Sequence, residues 1–139
     1  GAFPADQPFL NGDGPDPLVY RPCDISDATA APPGTIIVDA GVEVRRVAGS
    51  EVSPTDVIND LGRDDVRVIL CEGGPNLLGQ LCEAGLLNQL FVTFAPKLAG
   101  GARTGLLGKT DELGLDLELI TGLEDSGFLM LNYHVTNND

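Results

Sequence analysis

One junction constrains the fold of this chain more than any other feature. Val66 to Cys71 (VRVILC) leads directly into Glu72-Gly73-Gly74-Pro75, and Leu77, Leu78, Leu81 and Cys82 then recur at helical spacing. The first run has the composition of a strand, buried at least in its second half. The glycines and proline turn the chain. The apolar stripe that follows reads as one face of a helix, with Gly85 placed to cap its C-terminus. A strand that passes through a glycine turn into a helix is the building unit of an α/β sheet.

The remaining segments extend that pattern. Pro17 to Tyr20 (PLVY) reads as a short buried strand within a Pro-, Gly- and Asp-rich first 35 residues, and Ala28 to Gly34 as a loop. Thr35 to Asp39 is a strand, Gly41 a turn, and Val42 to Val47 a strand with a polar edge. Ser53-Pro54-Thr55-Asp56 opens a helix: Ser53 can cap, Pro54 suits the first position, and Asp56 stands where a capping-box acid belongs. Val57, Ile58 and Leu61 share its face, and Gly62 is expected to end it. Leu90 to Ala95 is another strand, stopped by Pro96, and Lys97 to Lys109 a glycine-rich loop. Leu113, Leu115, Leu117 and Leu119 alternate with other residues at the period of a strand. Glu124 to Gly127 is expected to turn, more widely than the tightest hairpins, into a last strand, Phe128 to Thr136. The order predicts an α/β domain with a mostly parallel sheet flanked by helices and an antiparallel hairpin at its edge. At 139 residues, 42% of them hydrophobic, the chain can bury one core, and a single domain over 1–139 is expected.

Charge narrows the partners. Twenty-one acids against eight bases give a net charge of −13, which argues against nucleic acid and anionic membranes, since both reward Lys and Arg. An anionic ligand must then be held by local features. No apolar run approaches the roughly 18 residues of a spanning helix, and no charged-then-apolar leader opens the chain, so a cytoplasmic location is expected. Cys23, Cys71 and Cys82 lack C-x-x-C spacing, and with one histidine, His134, no ordinary zinc site is expected. An odd cysteine count without a framework fits a reducing compartment.

The glycine turn is the strongest candidate for chemistry. A helix N-terminus leaves backbone N–H groups unpaired and carries partial positive charge. Glycines let a phosphate approach the backbone, and ligands of open α/β sheets sit beyond the carboxyl ends of strands. This turn can therefore bind a pyrophosphate without basic side chains. The same turn can equally be a tight connection that binds nothing. Glu72, just before it, can accept hydrogen bonds from a ligand or serve as a surface charge. Gly108-Lys109-Thr110 imitates the end of a P-loop, but Arg103 stands where its first glycine belongs and a strand pattern follows, so the P-loop is rejected. The G-x-G-x-x-G fingerprint is absent. His134 reads as a half-exposed strand residue, and Asp64-Asp65 as a solvated turn. Lys97, Arg103 and Lys109 either counter a phosphate or keep their loop wet, the second being preferred.

Val68 to Gly101 (VILCEGGPNLLGQLCEAGLLNQLFVTFAPKLAGG) resembles the reductase domain of bacterial riboflavin biosynthesis, and the ending EDSGFLMLNYHV resembles that family's last hairpin. The match covers the second half of the chain well and the first half loosely. The spacing of E-G-G-P-x-L-L and A-P-K-L-x-G-G carries it. The resemblance implies a dihydrofolate reductase-like fold, of which this chain is expected to be the C-terminal portion. It implies NADPH as cofactor, and a reaction that opens the ribose of a phosphorylated ribosylamino-pyrimidine to a ribitylamino product. By position, Glu72 would touch substrate, and Gly73, Gly74, Pro75, Asn76, Leu77, Leu78, Gly79 and Gln80 would cradle the cofactor phosphates. The resemblance assigns no catalytic residue here and implies a homodimer.

The chain departs from the family in three ways. The first strand and the Arg- and Thr-bearing contacts with which the family usually begins have no match. Leu87-Asn88-Gln89 replaces a usual acidic pair, and Asn132 stands where Arg is commoner. Two other readings therefore stay open: a non-catalytic or dimerisation relic of the fold, and a reductase of another pterin or pyrimidine.

Overall fold

The structure is a computed structural model that describes residues 16–23, 33–34, 36–39, 42–100, 105–108, 110 and 113–136. The chain groups into two compact units, Gly1–Arg67 and Val68–Asp139.

In the first unit, β1 (Leu18–Cys23), β2 (Ile36–Asp39) and β3 (Val42–Ala48) form a sheet in the order β1-β3-β2. β1 runs parallel to β3, with Leu18 opposite Glu43. β2 runs antiparallel to it, with Ile36 opposite Arg45. The central strand owes its place to β-branched residues on one face: Val42 and Val44 are buried, as is Cys23 at the end of β1. Helix α1 (Pro54–Arg63) starts as its sequence predicts, with Ser53 Oγ accepting from the Thr55 N–H at 3.2 Å and Pro54 in the first turn. Its end differs from expectation. Gly62 does not stop it: the helix continues to Arg63, and Asp65 takes the left-handed conformation (φ 64). The Val66 N–H donates to Leu61 O (3.1 Å) and the Asp65 N–H to Gly62 O (3.2 Å), a Schellman closure built on an aspartate.

In the second unit, helix α2 (Pro75–Glu83) precedes β4 (Gln89–Phe94), β5 (Asp116–Asp125) and β6 (Phe128–Thr136), which pair in the order β4-β6-β5. α2 ends as expected, with Gly85 at φ 66, its N–H bonded to Cys82 O and the Leu86 N–H to Leu81 O. Among the described residues of this unit, Leu81 and Cys82 of α2 and Val135 of β6 are the buried apolar side chains. The closing hairpin is present, but its turn is the tightest kind. Ser126 (φ 52) and Gly127 (φ 80) alone form it, and Asp125 pairs with Phe128. Positive φ at both positions matches the turn to the strand twist, so Glu124 and Asp125 stay in β5. A bulge between Leu119 and Thr121 shifts the register, and after it Thr121 and Leu123 face the same way as Asn132 and Met130 of β6.

Two expectations need correction. Val66 to Cys71 forms no strand, and Val68 and Leu70 are 87% and 77% exposed. A strand exists through its ladder, and the described strands are spent in two three-stranded sheets that leave this run none. The mostly parallel sheet is accordingly not what the described strands make. Only β1–β3 is parallel, and β2–β3, β4–β6 and β5–β6 are antiparallel. The α/β character stands. Residues 97–100 and 105–108 are neither helix nor strand, as expected of their loop. Among the described residues no helix is long and apolar enough to cross a membrane.

Candidate functional site

The start of α2 leaves its cap open. Gly74 is the N-cap, extended at φ −70 and ψ 178, with no side-chain hydrogen bond closing the cap. The N–H groups of Leu77 and Leu78 donate to Gly74 O at 3.1 and 3.2 Å. Pro75 has none to give, and that of Asn76 has no acceptor among the described residues. No acid lies in the first turn to compete with an anion.

The two glycines of the turn do different things. A Cβ on Gly74 would meet nothing within 4 Å, so that position is open to a ligand. A Cβ on Gly73 would fall 2.5 Å from Leu77 Cδ2, so Gly73 serves the packing of the turn on its own helix. Gly79, expected among the phosphate-cradling residues, is buried, and a Cβ there would collide with Leu107 O and lie 2.6 Å from Thr110 Cγ2. Gly108 (φ 68) lies against Asn76 in the same way: its Cβ would collide with Oδ1 and come within 3.0 Å of the backbone nitrogen.

The other expected residues divide by exposure. Glu72, Pro75, Asn76 and Gln80 are exposed, as is Leu77. Leu78 is half-buried and, with Cys82, Leu106, Leu107 and Leu117, lines an apolar cavity of about 220 Å³. Burial there pushes the Cys82 thiol up, with Glu83 adding to the effect. Lys97 is exposed, whereas Arg103 and Lys109 lie outside the described residues. His134 is exposed on β6, opposite Gln89 and Glu118. Among the described residues no cluster of three or more His, Cys, Asp or Glu could hold a metal.

Two features were not read from the sequence. Asn132 Oδ1 is buried without a partner beside a cavity of about 270 Å³ lined by Phe91, Thr121 and Leu123. In the first unit, Arg45 Nη1 reaches Asp60 (2.7 Å) and Asp64 (2.6 Å), and its Nε reaches Glu43 (2.7 Å). The Tyr20 hydroxyl donates to Asp60 at 2.8 Å. Burial, then the Asp60 bond, pushes the Tyr20 phenol up to about 12, and the Arg45 bond holds the Asp60 carboxyl down. Only Arg45 against the i, i+15 acid Asp60 signals this cluster in sequence, and such pairs are too common to notice. Asp64 is thus an ion-pair partner as well as a turn residue.

The architecture defines an α/β protein whose second helix opens on an uncapped glycine. Comparison narrows this. The model of the RibD C-terminal domain matches residues 20–125, and the chain belongs to that family. Over 46 residues it is 46% identical to the riboflavin biosynthesis protein RibD of Escherichia coli (strain K12), covering 33% of this chain and 12% of that protein. It is also similar to a solved pyrimidine reductase-like protein of Corynebacterium diphtheriae, at 24% identity and a TM-score of 0.66, covering 71% of this chain and 41% of that one. Over 119 residues it is 30% identical to the GTPase Obg of Anaeromyxobacter sp. (strain Fw109-5), covering 86% of this chain and 26% of that protein. The P-loop pattern is absent from the sequence. The chain spans less than half the length of each of these proteins.

Proposed function

We propose that this chain is the C-terminal, cofactor-binding portion of an NADPH-dependent reductase of riboflavin biosynthesis, acting on a phosphorylated ribosylamino-pyrimidine. The observation that carries the reading is the uncapped helix start at Gly74, open on the ligand side, within the family to which the chain belongs. Its residues fit a cofactor phosphate. Gly74 admits it to backbone distance, the Asn76 N–H and side-chain amide can donate to it, and the helix dipole favours its charge. In a chain of net charge −13 this is a means of holding an anion without cations. Leu77 and Gln80, exposed on the same helix, would border the cofactor, and Glu72 would accept hydrogen bonds from the substrate. When bound, the cofactor supplies a hydride, and the chain's own share is binding and orientation. The reading includes a single dihydrofolate reductase-like domain over 1–139 completed by further strands, a homodimer, and a cytoplasmic location.

An NADPH titration followed by cofactor fluorescence tests it, with Gly74→Asp as the control. Saturable binding that weakens by at least about tenfold in the variant supports the site, since an acid at a helix N-cap puts like charge against the phosphate. Equal binding by both proteins places the cofactor elsewhere. If NADPH has no effect on the chain extended to full domain length, the second reading, a non-catalytic relic, takes over. The changed Leu87-Asn88-Gln89 and Asn132 favour that reading.

A further inference from the structure

Gly79 is hard to explain as part of a helix. Glycine is a poor helix former, yet here it occupies the middle of the nine-residue α2 and is buried. The backbone of Leu107 lies where its side chain would be, and the Thr110 methyl group lies beside the same spot. One turn earlier, Gly108 uses a left-handed conformation to press its own backbone against Asn76. Leu107, Gly108 and Thr110 therefore rest on the first two turns of α2 through two close backbone approaches, each possible only because a Cβ is missing. The side chains of Leu106 and Leu107 complete the wall of the apolar cavity that contains Cys82.

We propose that Leu107, Gly108 and Thr110 form a strap seated in α2, and that Gly79 and Gly108 are positioning residues that fix the helix start by seating it. The consequence for the helix start rests on the cofactor reading above; the seating itself does not. A seated strap holds Gly108 against the amide oxygen and beside the backbone nitrogen of Asn76, which leaves the amide nitrogen as the end available to a phosphate. A lifted strap frees Asn76 and opens the cavity to Cys82.

Two readouts separate these effects: alkylation of Cys82 by iodoacetamide, mapped by peptide mass with the exposed Cys71 as internal reference, and NADPH affinity. Gly79→Ala is expected to raise Cys82 alkylation by about tenfold and to weaken NADPH by a similar factor. Thr110→Ser removes only the methyl group that touches the notch, so it keeps the fold and should move both readouts in the same direction by less. Gly74→Ala, in open space, should weaken NADPH and leave Cys82 protected. Unchanged Cys82 alkylation in both Gly79→Ala and Thr110→Ser overturns the strap. Faster alkylation with unchanged NADPH affinity overturns the positioning role. If neither the unmodified chain nor its extension to full domain length binds NADPH, the cofactor reading fails, and the Cys82 measurement still decides the seating.

Discussion

Arg45 meets three carboxylates while keeping only 17% of its side chain exposed, so its fourth partner, the Tyr20 hydroxyl through Asp60, completes a half-buried polar knot joining β1, β3 and α1. Removing a partner leaves desolvated charge behind, which costs more than the pair contributes. Arg45→Met should therefore destabilise the chain by about 1–3 kcal/mol in urea unfolding, and Tyr20→Phe by about 1 kcal/mol. The pH dependence follows from the shifts. The Asp60 carboxyl is held low in the folded chain, so its contribution is present above the unfolded value of about 3.9 and is lost as pH falls through the folded value. The Tyr20 phenol is raised from 10.0 to about 12, so its contribution is complete below pH 10.0 and lost as pH rises towards 12. Urea midpoints measured across that alkaline window should fall in the parent chain and flatten in Tyr20→Phe; parallel curves would remove Tyr20 from the knot. The glycine turn offers a second residue-scale contrast. Gly74→Ala should lower thermal stability only slightly, as a poorer N-cap in open space, whereas Gly73→Ala should lower it more, because only the latter drives a Cβ into Leu77.

At the scale of elements, local chemistry was the readable part. Ser53-Pro54 and Gly74-Pro75 mark the two helix starts, and Gly85 marks the end of α2, because caps are decided by the few residues at the terminus. The end of α1 departs from its sequence expectation for the same reason in reverse. Gly62 suits a left-handed position, but the helix could run one residue past it, and Asp65 fell at the place where the chain had to reverse. An aspartate there carries strain that glycine does not, and its ion pair with Arg67 is exposed and contributes little. Asp65→Gly should thus stabilise the chain by about 0.5–1 kcal/mol, visible as a higher melting temperature. A lower one would show that the Arg67 pair outweighs the backbone term. The bulge in β5 and the missing ladder at Val66–Cys71 were illegible because both depend on neighbours distant in sequence. The candidate site divides likewise. Its glycine turn was legible, but the second role of Gly79 was not, since Leu107 and Thr110 reach it through tertiary contact.

Across the whole molecule, two properties oppose each other. Phe91, Phe94, Leu119 and Leu123 are all more than half exposed on β4 and β5, as are Val68 and Leu70 beside the glycine turn. Such surface favours association. A net charge of −13 on each copy opposes it, because identical chains repel. The proposed homodimer must therefore be weakest in dilute salt, where charges act over about 30 Å at 0.01 M, and stronger near 1 M, where the screening length is about 3 Å. Sedimentation velocity at those two ionic strengths is expected to show a shift from monomer towards dimer as salt rises. Phe91→Glu, which adds a charge in the middle of the sheet face opposite Asn132, should abolish the high-salt dimer without changing the far-UV circular dichroism. A monomer at both salt concentrations would mean that the exposed apolar strands await strands of the same domain and not a second copy. Dimerisation that persists in Phe91→Glu would move the interface away from this face.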